Sequence, residues 1–312
     1  MLIFILRRLA LSVAIVVIAI VLLNTMLHLV PGDPTVMLLG PRATPELIER
    51  TREAMGLDRP FYVQTLTFFG NLLRGDMGVD VFTGRSVASI VLSQLPYTLV
   101  LIAVSIVWSA ALGIVIGCYS ALRRGSWLDL SAGILSVSTI SVPSFVMALY
   151  GLLVFAVGLH WFPAVGAGTG FWGQAHYLVL PALAIGISWV GYVARVVRAS
   201  MLEILDANHV RMARAFGLTE SKIVFSYALK IAVLPAVTLI GTGVVHLFSA
   251  AVFAEVIFSR PGIGALIVNA VNERNYPIVL GCILVTTIVI VLATLVSDLV
   301  NAWLDPRIRE AL

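Results

Sequence analysis

The distribution of charged residues constrains this chain more than any other feature of its sequence. Aspartate, glutamate, lysine and arginine are absent from five long windows, which are residues 9–32, 86–122, 130–194, 231–254 and 278–297. A helix that spans a bilayer needs about 20 predominantly apolar residues. The longest window has room for two such helices and a connection. The sequence therefore predicts an all-α, polytopic membrane protein with six transmembrane helices.

Composition excludes the main alternative, a soluble protein. Only 12% of the residues are charged and 60% are hydrophobic, whereas roughly a quarter of the residues of a soluble domain are charged. We expect the six spans to cover residues 9–30, 97–119, 131–157, 177–197, 233–257 and 278–303. Pro143, Pro181 and Pro235 fall in or at the ends of these spans. Kinks at proline are tolerated in a membrane where neighbouring helices pack closely, which favours a bundle.

Basic residues predict the orientation of the bundle. Short loops on the cytoplasmic side of a membrane carry an excess of lysine and arginine. With an uncleaved first span, six spans place both termini, the turn at Arg123 and Arg124, and the loop 195–232 on the same side. That side holds 12 of the 20 basic residues, against two in short loops on the other side. We therefore expect cytoplasmic termini, and the net charge of +4 belongs to the cytoplasmic face rather than to a nucleic-acid site.

Two hydrophilic segments separate the spans. The outer segment, residues 33–94, predicts a helical cap, because Thr44, Pro45 and Glu46 form a good helix start and residues 61–73 are amphipathic. It either covers the bundle or docks an external partner. In the inner loop, we expect Asn208 to cap a short helix over residues 209–216 that Gly217 ends. From its pattern alone, this helix could also lie on the membrane surface, where its positive charge would meet anionic lipid.

The inner loop and several other segments resemble one transporter family in order and spacing. They are Pro31-Gly32-Asp33-Pro34, Gly56-Leu57-Asp58-Arg59-Pro60, Arg74-Gly75-Asp76-Met77-Gly78, Leu95-Pro96-Tyr97-Thr98-Leu99, Ser141-Val142-Pro143-Ser144-Phe145, Arg211-Met212-Ala213-Arg214-Ala215-Phe216-Gly217-Leu218, Glu255-Val256-Ile257-Phe258-Ser259-Arg260-Pro261-Gly262 and Asp305-Pro306-Arg307-Ile308-Arg309. Together they are similar to the binding-protein-dependent ABC-importer permeases for dipeptides, oligopeptides and nickel, in particular the B-type subunit. The loop resembles the family's "EAA" loop, although Arg211 stands near the place of its glutamate.

The resemblance implies a division of labour among several proteins in the inner membrane of a prokaryote. A second, C-type permease subunit would complete a heterodimer, two cytoplasmic ATP-binding subunits would use ATP and Mg²⁺, and an extracytoplasmic binding protein would deliver substrate. It also implies domains at residues 1–32 (first helix), 33–94 (cap), 95–304 (permease domain) and 305–312 (tail). The residues implied in coupling to the ATPase are Arg211, Ala213, Arg214, Ala215, Phe216, Gly217 and Leu218.

The chain itself is not expected to be an enzyme or to bind a cofactor. Its only lysines, Lys222 and Lys230, do not follow glycine in a phosphate-binding loop. Its five histidines are dispersed, so no metal site is expected. Neither cysteine, Cys118 or Cys282, belongs to a redox or zinc motif by its spacing. An intramembrane enzyme would need a catalytic constellation within the spans, and the sequence offers none.

Some polar residues within the spans are further candidates. Glu255 and Asp298 lie near the ends of the fifth and sixth spans, where they could be gating or structural groups. Hydroxyl side chains could line a polar path in the third span (Ser136, Ser138, Thr139, Ser141) and in the fifth (Thr238, Thr242, Ser249), or could bond their own backbone.

The function that we predict is import of dipeptides or oligopeptides driven by ATP. Nickel or a metal–chelator complex is the alternative substrate within the family. An ATP-independent secondary transporter or channel is the alternative class, but it would leave the EAA-like loop unexplained.

Overall fold

The computed structural model describes residues 10–11, 13–22, 25, 43–54 and 60–304. Within these ranges the regular secondary structure is helical, and the extended residues Val79 and Ser86 form an isolated antiparallel bridge. The helices are, in chain order, α1 (Val13–Leu22), α2 (Pro45–Ala54), α3 (Phe61–Leu73), α4 (Val87–Leu122), α5 (Trp127–Ser141), α6 (Ser144–Gly151), α7 (Gly170–Leu205), α8 (Asn208–Ala215), α9 (Glu220–Lys222), α10 (Leu229–Ala232), α11 (Leu234–Ile257), α12 (Ile263–Asn272) and α13 (Tyr276–Leu304). Two π-helical segments, π1 (Leu152–Gly158) and π2 (Ile223–Ala228), directly follow α6 and α9.

Four of these helices are long and apolar enough to cross a membrane: α4, α7, α11 and the Tyr276–Asn301 part of α13. The helix pair α5 and α6–π1 adds a fifth candidate if it is counted as one span. The all-α, multi-span architecture that the sequence predicts is therefore confirmed. Within the predicted first span, residues 9–30, the structure describes residues 10–11, 13–22 and 25, and α1 lies inside it.

The predicted third span, residues 131–157, is wrong as a single continuous helix. Trp127–Ser141 and Ser144–Gly158 meet at an angle of 99°. The break lies at Val142, whose backbone is extended at φ −90° and ψ 122°, immediately before Pro143. A residue before proline is sterically driven out of the helical region, and proline itself lacks the N–H that would continue the ladder. The sequence predicts a kink at Pro143, and in the structure the two helices meet there at a sharp corner.

The chain forms two compact units, each with its own core. The first contains Thr98–Arg260 and the end of α13 from residue 292, and the second contains the earlier part of the chain and Pro261–Val291. Since α4 begins at Val87, the boundary predicted between cap and permease domain falls within a helix. The domain limits stay predictions.

In the first unit, α7 packs closely against α4. A side-chain carbon on Gly117 of α4 would lie 2.5 Å from the carbonyl oxygen of Ala194, and one on Gly113 would lie 2.7 Å from Val193 Cβ. Trp108 also donates a hydrogen bond from its indole nitrogen to the Ala182 carbonyl, at 3.0 Å. Because membrane helices associate mainly through close packing, glycine at these points lets the two backbones approach.

The second unit combines an apolar core with a buried polar pair. Val87, Val91, Ile263 and Cys282 belong to one apolar cluster of buried residues. Asp80 and Asn275 are also buried, and the Asn275 amide donates to the Asp80 carboxylate. The same carboxylate accepts hydrogen bonds from the backbone N–H groups of Phe82 and Thr83, which closes the turn before α4.

Candidate functional site

The short helix α8 and the three residues that follow it contain the residues that the family resemblance implies in coupling. The helix begins one residue earlier than a cap at Asn208 would require. Ala207 is the N-cap, with an extended backbone (φ −71°, ψ 151°), and Asn208 is the first helical residue. The predicted capping role of Asn208 is therefore wrong, because an alanine occupies the position from which a side chain could accept from the first turn.

Gly217 follows the C-cap of α8 and terminates the helix, as the sequence predicts. Its φ is +75°, in the left-handed region that glycine adopts without a steric penalty. The Gly217 N–H donates to the Arg214 carbonyl at 2.9 Å, and the Leu218 N–H donates to the Ala213 carbonyl at 3.2 Å. This is the Schellman pattern of helix termination, which satisfies two terminal carbonyls and turns the chain sharply.

The two faces of α8 are different. Val210 and Ala213 are buried, and Leu218 packs partly buried against the same apolar cluster. Met212 and Phe216 lie four residues apart and are 59% and 80% exposed. Residues spaced by four lie on one face of a helix. One side of the segment therefore anchors it to the protein, while the other presents two large apolar side chains to the surroundings.

Arg214 and Arg211 have different environments. The Arg214 guanidinium donates to both carboxylate oxygens of Glu220, with distances of 2.8 and 3.4 Å. This hydrogen bonding lowers the pKa of Glu220 and raises that of Arg214. Arg211 is exposed, and no ion pair joins it to another of the described residues. Ala215 is exposed beside it.

A single apolar core connects α8 to the long helices on either side of it. Val210 and Ala213 share this core with α7 before the loop and with the chain from π2 to α11 after it. Its members are Cys118, Ala121, Val193, Val197, Met201, Ile204, Val210, Ala213, Ile223, Val224, Ala228, Ala232 and Ala236. Interiors are close-packed and transmit displacement rather than absorbing it. A force on α8 would therefore act on both neighbouring spans.

The two acidic candidates of the spans have separate positions. Glu255 lies in the last turn of α11, is fully buried, and accepts a hydrogen bond of 2.6 Å from the Thr98 hydroxyl. Asp298 lies half-buried towards the end of α13. The structure does not bring the two together with the coupling segment. No group of three or more His, Cys, Asp or Glu side chains suited to a metal ion occurs among the residues that the structure describes.

A further polar cluster was not anticipated from the sequence. The Arg198 guanidinium binds both carboxylate oxygens of buried Asp129, at 2.6 and 2.8 Å. Ser120 donates to the same carboxylate, and so does the Gly125 N–H at 3.0 Å. The cluster joins the end of α4, the start of α5 and α7. The available signal was the single acid in the first turn of α5, shortly after the basic turn, but its partner in α7 cannot be identified by local spacing.

The fold is that of a helical membrane protein with several spanning helices. Comparison with known families assigns it to a transport system. Residues 113–310 match the family described as "Binding-protein-dependent transport system inner membrane component", and residues 1–102 match the N-terminal model of the binding-protein-dependent transport system membrane component. The chain belongs to this family of ABC-transporter permeases and is a multi-pass protein of the inner membrane.

Relatives match along their whole length. The glutathione transport system permease protein GsiC of Escherichia coli (strain K12) is 35% identical over 309 residues, which cover 99% of both chains. The putative peptide permease protein of Brucella suis biovar 1 is 36% identical over 317 residues, with 99% of both covered. The probable peptide ABC transporter permease protein y4tP of Sinorhizobium fredii is 33% identical over 310 residues, which cover 98% of this chain and 99% of that one.

A solved structure supports the fold. The inward-facing MetNI methionine ABC transporter aligns with a TM-score of 0.55 and 18% sequence identity, covering 69% of this chain and 96% of the other. This similarity confirms the ABC-importer permease architecture predicted from the sequence.

Proposed function

We propose that the chain forms one half of the path through which an ABC importer moves small peptides across the inner membrane. In this proposal α8 is the coupling helix that docks in a groove of an ATP-binding subunit. The second half of the path is a C-type permease subunit, and two ATP-binding subunits consume ATP and Mg²⁺. An extracytoplasmic binding protein delivers the substrate to the side that carries residues 33–94. Both termini, including residues 305–312, are cytoplasmic.

The observation that carries the proposal is the two-sided construction of α8. Met212 and Phe216 project outward, and exposed apolar patches of this kind mark interaction sites. Exposed Arg211 beside them can meet a carboxylate of the partner. The opposite face shares its core with the spans before and after the loop. Closure of the ATP-binding subunits would thus tilt α7 and α11 together, as in hinge or shear transitions.

Peptides are the substrate class that the relatives favour. Two of those described above are named as peptide permeases, and the third is named for glutathione, which is itself a tripeptide. None of the three names refers to a metal chelate. We therefore favour peptides over nickel complexes as the substrate. We also favour ATP-driven import over transport without ATP.

The decisive experiment is co-purification of the chain with its ATP-binding subunits, using Phe216→Asp and a matched variant, Phe225→Asp. Phe225 is also exposed, at 61%, but it lies in π2 rather than on the outward face of α8. We expect Phe216→Asp to lose the ATP-binding subunits and ATP-driven peptide uptake, because a buried carboxylate in the groove would be unpaired.

The matched variant, Phe225→Asp, should keep both the association with the ATP-binding subunits and ATP-driven peptide uptake. If Phe216→Asp retained the complex and coupled uptake, α8 would not be the docking helix. Uptake of a labelled tripeptide by vesicles that contain the complete transporter and its binding protein tests the substrate. Uptake of Ni²⁺ but not of peptide would contradict the peptide assignment.

A further inference from the structure

The exposed face of α11 differs chemically from the exposed faces of α4 and α13. Its exposed residues recur every three or four positions, and so form one stripe along the helix: Pro235, Thr238, Thr242, Val245, His246, Ser249, Phe253 and Val256. Four of the eight, Thr238, Thr242, His246 and Ser249, are polar. They cover roughly 16 Å of helix at a rise of about 1.5 Å per residue, or about half of a hydrocarbon core about 30 Å thick.

Two other spans provide an internal comparison. The exposed residues of α13 are Ile288, Leu292, Val296, Leu299 and Val300, all of them aliphatic. On α4 from Thr98 onward, the exposed residues are aliphatic as far as Tyr119 near the helix end. These are the surfaces expected where a helix faces lipid. The stripe on α11 is not of this kind.

The polar groups of the stripe are only partly satisfied by the helix itself. Thr242 donates to the Leu239 carbonyl at 2.9 Å. The Thr238 hydroxyl lies 3.1 Å from the Asn301 side-chain oxygen and 3.4 Å from the Leu234 carbonyl. The imidazole of His246 instead lies beside the ring of Trp189, with centroids 6.3 Å apart. A histidine at mid-span is costly against lipid, and ionisable residues in spans generally face a bundle interior or a water-filled cavity.

The hydroxyls of the third span form a shorter exposed surface, in which Ser138 and Ser141 are the exposed members. Ser136 is buried. Thr139 donates to the Ser136 carbonyl and Ser141 donates to the Val137 carbonyl, at 3.1 and 2.8 Å. Local backbone bonding therefore accounts for the hydroxyls of Thr139 and Ser141, as it commonly does for hydroxyls in helices.

We propose that Thr238, Thr242, His246 and Ser249 line the hydrated path of the transported peptide, with Trp189 and Tyr192 of α7 at its side. This inference rests on the proposed function and names the residues that perform it. Hydroxyls and an imidazole offer hydrogen bonds to a peptide backbone and its termini without placing a permanent charge in the path. Tyr192 is exposed and its ring lies 5.6 Å from that of Trp189, so aromatic surface is available to apolar side chains. Weak, repeated contacts of this kind suit a conduit that must also release what it binds.

The test is the accessibility of single cysteines in the complete transporter, in membrane vesicles, to a charged thiosulfonate reagent. Thr242→Cys and Ser249→Cys place thiols in the stripe, and Val107→Cys and Leu292→Cys place them on the aliphatic faces. The unchanged chain is the background control, because both of its cysteines are buried. We expect the stripe variants to be modified at least about tenfold faster, since only a hydrated thiol ionises to the reactive thiolate. Saturating peptide with its binding protein should slow this modification.

Two outcomes would overturn the inference but would leave the proposed function unaffected. If ATP-driven uptake were intact but Thr242→Cys reacted as slowly as Leu292→Cys, the stripe would face lipid or protein. Efficient disulfide cross-linking of the stripe to the second permease subunit, without modification by the reagent, would show that the stripe is a packed subunit interface. Loss of ATP-dependent uptake by the unchanged chain with all its partners would instead contradict the proposed function.

A second pair of variants tests the role of His246. His246→Gln keeps a hydrogen-bonding side chain, and His246→Leu does not. We expect several-fold slower peptide uptake by His246→Leu with unchanged binding of the ATP-binding subunits, and substantial rescue by His246→Gln. Equal uptake by the two variants and the unchanged chain would remove His246 from the path.

Discussion

Arg198 binds both carboxylate oxygens of Asp129, although the two residues lie 69 positions apart in the chain. The Asp129 side chain is only 9% exposed, whereas that of Arg198 is 36% exposed. Ser120 and the Gly125 N–H complete the hydrogen bonding of the carboxylate. The pair therefore fixes the start of α5 against α7 at the end of the bundle that carries the basic loops.

Removal of the guanidinium should destabilise the protein. Because Arg198→Ala leaves a buried carboxylate without its main partner, and because the arginine is itself partly exposed, we expect a loss of about 1–3 kcal/mol. Arg198→Lys should be intermediate, since an ammonium cannot make the paired contacts. Unfolding in detergent would measure both. Arg124→Ala is the matched control, because Arg124 and Asp206 form an exposed pair 3.8 Å apart. Equal effects of the two alanine variants would disprove the structural role of Asp129.

Close packing of α4 on α7 leads to a second expectation. Gly117→Ala places a methyl group 2.5 Å from the Ala194 carbonyl oxygen, and such overpacking costs about 1–3 kcal/mol. Gly133→Ala is the matched substitution, because no atom lies within 4 Å of the added carbon and alanine is a better helix former by about 1 kcal/mol. The thermal unfolding temperature should fall for Gly117→Ala and rise for Gly133→Ala. An unchanged unfolding temperature of Gly117→Ala would mean that α4 and α7 are not in tight contact.

The turn that contains Asp80 should respond to acid. Burial opposes ionisation of this carboxyl, but hydrogen bonds from Thr83, Asn275 and the backbone outweigh it and lower its pKa. The stabilisation is therefore complete above the unfolded pKa of about 3.9, and it is lost as the pH falls through the lower folded value. The hydrogen-exchange protection of residues 80–86, measured relative to the intrinsic exchange rate at each pH, should fall below about pH 4 in the unchanged chain. Asp80→Asn should show faster exchange at neutral pH and little further change in acid.

Gly217 should tolerate few other residues. Its positive φ costs a residue with a side chain about 1–2 kcal/mol, although asparagine accepts this conformation more readily. We expect Gly217→Val to impair ATP-driven uptake more than Gly217→Asn, with basal ATP hydrolysis by the partner subunits maintained. Vesicle uptake and phosphate release measured on the same preparation would test this. Full coupling in Gly217→Val would show that the turn geometry is dispensable.

A charge exchange can distinguish the two arginines of α8. Arg214→Glu should weaken coupling by breaking the contact with Glu220, and the double variant Arg214→Glu with Glu220→Arg should recover much of it. Arg211→Glu should not be rescued by a change at Glu220, because Arg211 has no contact with that residue. The measurement is coupled uptake for the four variants. Failure of the double variant would indicate that Arg214 acts on a partner rather than within the chain.

Local sequence signals predicted the elements whose causes are local. The pattern at residues 61–73 coincides with α3, and the predicted span 233–257 differs from α11 by one residue. Gly217 was identified because positive φ is a property of a single residue. By contrast, the ion pair of Asp129 depends on a helix 69 residues further along the chain. Likewise, the division between lipid-facing and path-facing sides of α11 depends on which face its neighbours cover.

The π-helical segment Ile223–Ala228 lies between α8 and α11. A π-helix is wider than an α-helix and typically reflects one surplus residue in the turn. Removal of one residue there would favour the regular α-helical ladder. Since each α-helical residue advances the chain by about 100°, that removal would also turn everything before it about the axis of α11 by roughly this angle. In this stretch, chain length sets the direction in which Phe216 points.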